Sequence, residues 1–265
     1  MTTPSAPSDP RVLLGTCTSG PFSYTDEGEG PVVVAVPGYP GGPRDWRWLA
    51  PALGADIRFI RLAMPAFEQT PLATNPATSI DERADFVAAC VEALDLRDAV
   101  LLGHSMGGAL AGMATQRLGD RVKGLGLVCS IGPTAHPSVR GNHMKVASQL
   151  LRWPLIKWPL RALLPRGFEL MGFPRRWSSD QLMHTIDCAA ALDFPSWAQS
   201  IDALTVPTLV AWSDDDPLIP QEISLALADR APSGPRLPFP TGGHNIQKFQ
   251  AVELAAGVRT FLSSL

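Results

Sequence analysis

What most constrains this chain is a recurring pattern of short, β-branched apolar runs set between turn residues. Val32-Val33-Val34-Ala35-Val36 is bounded by Pro31 and Pro37, and similar runs span Ile57 to Leu62, Ala99 to Leu102, Gly124 to Val128 and Thr208 to Trp212. A short run apolar at every position reads as a strand buried on both faces, as in parallel sheets covered by helices. Helical signals lie between several runs. Ser79-Ile80-Asp81-Glu82 has the form of a capping box, in which the Ser79 and Glu82 side chains satisfy orphan amides at a helix start. Phe86, Ala89, Cys90, Ala93 and Leu94 then recur at three- and four-residue spacing, the stripe of a helix packed on a sheet and running to about Leu94. Strands alternating with helices predict an α/β fold with a mostly parallel central sheet flanked by helices.

Between Ser130 and about Ile201 this alternation stops, and a stretch rich in Trp, Pro and Arg intervenes. It reads as an insertion, in which Pro154 and Pro159 interrupt any long straight helix and leave room for short ones. Composition excludes several classes of function. With 22 Lys and Arg against 25 Asp and Glu, the net charge of -3 provides no field for a nucleic-acid partner. Cys17, Cys90, Cys129 and Cys188 are widely spaced, without a Cys-x-x-Cys pair, so neither a zinc site nor a disulfide framework is expected. Free thiols in a reducing compartment fit best. The first 20 residues lack the features of a secretory signal, and no run approaches the ~20 apolar residues that span a bilayer, so the expected location is cytoplasmic. There is no Gly-x-x-x-x-Gly-Lys or His-Glu-x-x-His, and neither a cofactor nor a metal is expected.

Gly103-His104-Ser105-Met106-Gly107 follows one of the strand-like runs and precedes a segment rich in small residues. Gly-x-Ser-x-Gly alone recurs by chance, so context decides. On a sharp turn from strand to helix, a serine projects its oxygen above the sheet, and flanking glycines tolerate the crowded backbone. The free amides and positive end of the helix stabilise an oxyanion, with the Met106 amide as first donor. A serine needs a base, and the base a carboxylate to orient it. Downstream, Asp214-Asp215-Asp216 follows the Thr208 to Trp212 run, at the strand end where parallel sheets place their sites. His244 then follows the strand-like Arg236 to Phe239, completing the order serine, acid, histidine.

From about Phe22 to Leu265 these residues resemble the α/β-hydrolase superfamily. The resemblance implies Ser105 as nucleophile, His244 as base and, from the usual offset to a proline matched by Pro220, Asp216 as the acid, leaving Asp214 and Asp215 as a solvated turn. Val36-Pro37-Gly38-Tyr39-Pro40-Gly41 is similar to the family's oxyanion loop, which implies the Tyr39 amide beside that of Met106, although Pro37 stands where the family usually has His. Leu62 to Phe67 and Ser213 also depart from the family pattern. By the same analogy, residues 131–201 are a helical cap over a core of residues 1–130 and 202–265. Trp153, Trp158, Phe168, Met171, Phe173 and Trp177 are then its candidate substrate-binding residues, or the cap's own core. The mixture of cations and tryptophans also suits a membrane surface, which the prolines argue against. His104, His136 and His143 have ordinary structural readings, with His184 as the one rival base.

The resemblance implies a serine hydrolase acting on a small to medium hydrophobic carboxylic ester through an acyl-enzyme. Two alternatives keep the triad: carbon-carbon bond hydrolysis, against which Asn245 after the histidine counts, and cofactor-free perhydrolase or haloperoxidase chemistry. Ser105 in place of a carboxylate argues against the haloalkane dehalogenase and epoxide hydrolase branches. A ligand receptor without turnover is the alternative from another class. The expected partner is a small ester, with no nucleic acid and no membrane contact; oligomeric state is left open.

Overall fold

The apolar runs converge in a single sheet. The computed structural model describes residues 7–72, 76–155, 157–171, 173 and 175–265. Among them the strands are β1 (Leu13–Cys17), β2 (Gly20–Glu27), β3 (Val32–Val36), β4 (Arg58–Leu62), β5 (Ala99–His104), β6 (Val122–Val128), β7 (Thr208–Ser213) and β8 (Arg236–Phe239). They form one sheet in the order β1-β2-β4-β3-β5-β6-β7-β8. β2 pairs antiparallel with both β1 and β4, and every other pairing is parallel. The helices are α1 (Leu49–Leu53), α2 (Ile80–Ala93), α3 (Met106–Leu118), α4 (His143–Leu150), α5 (Lys157–Leu170), α6 (Ser179–Ala190), α7 (Phe194–Asp202), α8 (Gln221–Arg230), α9 (Ile246–Phe249) and α10 (Ala251–Ser263). Among the described residues, none is long and apolar enough to cross a membrane.

The near-continuous apolar strands are explained by helices on both faces. In β3, Val34 and Val36 join the core shared with α2 and α3, while Val33 and Ala35 join a second core with Leu49 and Phe261 of α1 and α10. β5 and β7 are buried at every position. Alternating side chains thus fill two separate cores, so no position in these strands is left for a solvated side chain.

The β1–β2 hairpin is the main feature that apolar patterning did not predict. Its inward face carries polar side chains that find partners in the fold. The Ser23 amide donates to Thr70 Oγ1 at 2.8 Å, and Thr25 Oγ1 accepts from Nε of the buried Arg61 at 2.8 Å. Arg61 also pairs with Glu27 at 2.6 Å. The start of α2 differs from a reciprocal capping box. Ser79 Oγ accepts from the Glu82 amide at 3.2 Å as expected, but the Glu82 carboxylate accepts from the Ser79 hydroxyl at 2.7 Å instead of reaching back to its amide.

Residues 131–201 contribute α4 to α6 and most of α7, with no strand among those described. Pro154 lies between α4 and α5, and Pro159 falls in the first turn of α5, where its missing amide leaves no bond unmade. Leu151, Met183 and Ile186 form a small core of their own with Leu160 and Leu164. α7 packs on α3: Trp197 is fully buried against Gly112, and its Nε1 donates to the Ile131 carbonyl at 3.1 Å.

Candidate active site

The turn between β5 and α3 bends sharply at Ser105, whose φ of 55° and ψ of -126° lie where side chains other than glycine are strained. Three backbone bonds hold it there. The Ser105 amide donates to the Val128 carbonyl at 3.0 Å, and the Ser105 carbonyl accepts from Gly108 at 3.0 Å and Ile131 at 3.2 Å. The flanking glycines are required by close approach: a methyl group on Gly103 meets the backbone of Gly107 and Gly108, and one on Gly107 meets the carbonyls of Val36 and Pro37. The loop of residues 37–41 is thereby pressed against the elbow, and a Cβ on Gly38 would lie 3.0 Å from Ser105 Cβ. Met106 opens α3, so its amide has no acceptor within the helix. Tyr39 and Met106 both line the same cavity as Ser105.

His244 follows β8, and Asp216 lies in the loop after β7. The His244 Nδ1–H donates to Asp216 Oδ2 at 2.8 Å. Asp216 Oδ1 accepts from the amides of Leu218 at 2.8 Å and Ile219 at 3.0 Å, so the carboxylate is fully engaged. Burial pushes its pKa up, but the His244 bond, the His244 charge and the two amides outweigh it and hold Asp216 below the usual carboxylate range. Ser105 and His244 line one cavity, although no hydrogen bond joins them. Such bonds are often long before substrate binds.

The structure brings Ser105, Asp216 and His244 together, and it also shows residues that sequence reasoning missed. Asp215 is an exposed turn residue, as expected, but it also has a partner in the His244 loop: its Oδ1 accepts from the Gly243 amide at 2.7 Å and from Ser213 Oγ at 2.6 Å, which anchors the backbone just before His244. Ser213, a departure from the family's glycine, takes part in this anchor through its hydroxyl. Asp214 instead accepts from Gln221 Nε2 at 2.6 Å, away from the His244 loop. His104 Nε2–H donates to the His244 carbonyl at 2.7 Å, and burial followed by the His244 charge lowers its pKa to about 3, keeping it neutral.

The cavity holds about 590 Å³. Phe168, Met171 and Phe173 line it, and Met144, Ile186 and Leu218 add to its apolar wall. Trp153 and Trp158 do not: they are 54% and 73% exposed, and Trp158 stacks under the Lys157 ammonium instead. Trp177 is buried outside this cavity, edge-on to Phe67 and beneath the Arg176 guanidinium. Tryptophan's amphipathic ring suits a wet surface as well as a pocket, so residue type did not separate the cases. His136, missed as a wall residue, is buried with Nδ1 unpartnered, and burial lowers its pKa to about 4. His184, the rival base, packs near Phe67 and Cys188 and does not line the cavity. Asp45, also in the wall, accepts from the Gly42 amide at 2.8 Å and pairs with Arg176 at 2.6 Å; burial nonetheless raises its pKa.

The alpha/beta hydrolase family model matches residues 33–256, spanning the elbow, the acid loop and His244. The chain belongs to the alpha/beta hydrolase family. Among curated proteins, it is 29% identical over 257 residues to the dihydrolipoyllysine-residue acetyltransferase component of an acetoin cleaving system from Pseudomonas putida. That match covers 91% of this chain but only 65% of the relative. It is 26% identical over 247 residues to 2-hydroxy-6-oxo-6-phenylhexa-2,4-dienoate hydrolase from Burkholderia cepacia, covering 83% of each. A thermophilic esterase from Thermogutta terrifontis shares the alpha/beta hydrolase fold with a TM-score of 0.74 at 23% identity, covering 96% of this chain and 98% of that one.

Proposed function

We propose that this alpha/beta hydrolase is a serine esterase acting on a small to medium hydrophobic carboxylic ester through an acyl-enzyme. The observation that carries the reading is a strained serine sharing one largely apolar cavity with a histidine whose Nδ1–H is held by a buried carboxylate. In this mechanism Ser105 Oγ attacks the ester carbonyl while His244 Nε2 takes its proton. Asp216 keeps the imidazole in the Nδ1–H tautomer and stabilises the imidazolium. The amides of Met106 and Tyr39 receive the oxyanion, the first aided by the positive end of α3. The protonated His244 gives its proton to the leaving alcohol, and water then attacks the acyl-enzyme by the reverse route. Residues 131–201 act as a cap; Phe168, Met171 and Ile186, which line the cavity, support that reading.

Carbon-carbon bond hydrolysis is the second reading, favoured by the relatedness to a dienoate hydrolase. A dienoate carries a carboxylate, and among the described residues no lysine or arginine lines the cavity, which favours an uncharged ester. Hydrolysis of aryl esters of increasing acyl length, with Ser105→Ala as control, tests the proposal. Turnover with a preference for one chain length is expected, falling by a factor on the order of 10⁶ in kcat without the serine. Equal rates across chain lengths, or a dienoate cleaved faster than any ester, would count against it.

A further inference from the structure

Arg83 of α2 is fully buried, yet no carboxylate among the described residues pairs with it. Its Nε donates to the Ser79 carbonyl at 3.1 Å, its Nη1 donates to Met106 Sδ at 2.9 Å, and its Nη2 is buried without a partner. Its Cζ lies 5.0 Å from the centre of the Tyr39 ring. The Tyr39 hydroxyl is likewise buried and unpartnered. A thioether and an aromatic face are weak partners for a guanidinium taken out of water, so this cation is poorly compensated where it lies. Leucine or methionine would fill the same space more favourably. What distinguishes the site is which side chains the cation touches. Met106 and Tyr39 are the two residues whose amides face the developing oxyanion in the mechanism above.

We propose that Arg83 is a positioning residue for the oxyanion hole, fixing Met106 and Tyr39 and supplying an uncompensated positive charge that the tetrahedral anion neutralises. The inference rests on the serine-esterase reading of the same site. The ground-state ester is uncharged, so the field of Arg83 acts chiefly once negative charge develops on the carbonyl oxygen. In a water-poor interior this attraction is screened far less than at the surface. The cost of the buried charge is thus incurred in the free protein and partly recovered in the transition state.

The test compares Arg83→Met and Arg83→Gln, which remove the charge, with Arg83→Lys, which keeps it. Each is measured for kcat and KM on the preferred ester, for Tm, and for affinity toward an alkylboronic acid. The boron atom accepts the Ser105 Oγ lone pair, the serine proton passes to His244, and an anionic tetrahedral adduct results. Both neutral variants are expected to lose about 10- to 100-fold in kcat with KM within about twofold, and to lose boronic acid affinity by a similar factor. Arg83→Lys should recover most of both losses. Arg83→Met should melt no lower than wild type; should it fail to fold, Arg83→Gln carries the same comparison. The proposal is overturned if a folded neutral variant keeps wild-type kcat, if boronic acid affinity is unchanged while kcat falls, or if Lys does no better than Met. Ser105→Ala in parallel separates the two readings. Persistent ester turnover without Ser105 defeats the serine reading itself, and with it the role of Arg83, whereas loss with Ser105→Ala but not with Arg83→Gln defeats the Arg83 proposal alone.

Discussion

Two adjacent carboxylates divide the work of holding His244: Asp216 takes the ring and Asp215 takes the backbone amide before it. Asp215→Ala removes the side-chain acceptor of the Gly243 amide and leaves the Ser213 hydroxyl only the Phe239 carbonyl at 3.4 Å. The expected result is a roughly tenfold fall in kcat on the preferred ester with little change in KM, because misplacement of a catalytic group is felt mainly in the transition state. Asp214→Ala, measured alongside, should stay within about twofold of wild type. In the sequence, the grouping of Ser105, Asp216 and His244 was legible from the chain order that the family resemblance implies, each after a strand end, and the structure sets Ser105 and His244 on one cavity with Asp216 bonded to the His244 ring. Asp215 was not, because its partner is a backbone amide 28 residues away. His136 was hidden for a similar reason: a lone histidine in an irregular stretch carries no spacing that marks it as a cavity wall.

Elements were legible where apolar runs bury both faces and illegible where buried positions are polar. β3, β5 and β7 are marked by largely apolar runs, whereas in β2 Ser23 and Thr25 are as buried as Phe22. The alternation that signals a strand is therefore masked by side chains whose hydrogen-bond partners lie in β4 and the loop beyond it. The bond from Arg61 Nε to Thr25 Oγ1 makes this a point of stability. Thr25→Val keeps the shape but leaves a buried guanidinium N–H without an acceptor, and should cost about 1–3 kcal/mol in denaturant unfolding. A loss below about 0.5 kcal/mol would mean that water or another group replaces the hydroxyl. The insertion was legible from the break in strand-helix alternation, and its helices from the family resemblance, but which aromatics turn inward depends on helix rotation, which its irregular pattern does not encode.

For the whole molecule, burial of neutral histidines sets the response to acid. Burial lowers the pKa of His104 to about 3 and of His136 and His184 to about 4, against about 6.5 in an unfolded chain. Between these values the unfolded chain binds protons that the native protein does not, so stability is full above pH 6.5 and falls as pH drops toward 4. Each histidine contributes a slope of up to about 1.4 kcal/mol per pH unit. Asp216, held low, adds a loss in the same direction, but only below the ordinary carboxylate range. Tm measured from pH 7.5 to 4.5 should decline steeply below pH 6.5, and His184→Asn should flatten the decline; an unchanged slope in that variant would remove His184 from the account.

The bond from His104 to the His244 carbonyl joins residues 140 positions apart, and the bond from His244 to Asp216 spans 28. Contacts so distant in sequence carry the entropy cost of closing a long loop, which local helical contacts do not, and such contacts slow folding. A nascent chain thus acquires its helices well before its imidazole is seated, and catalytic competence is among the last properties the folding molecule gains.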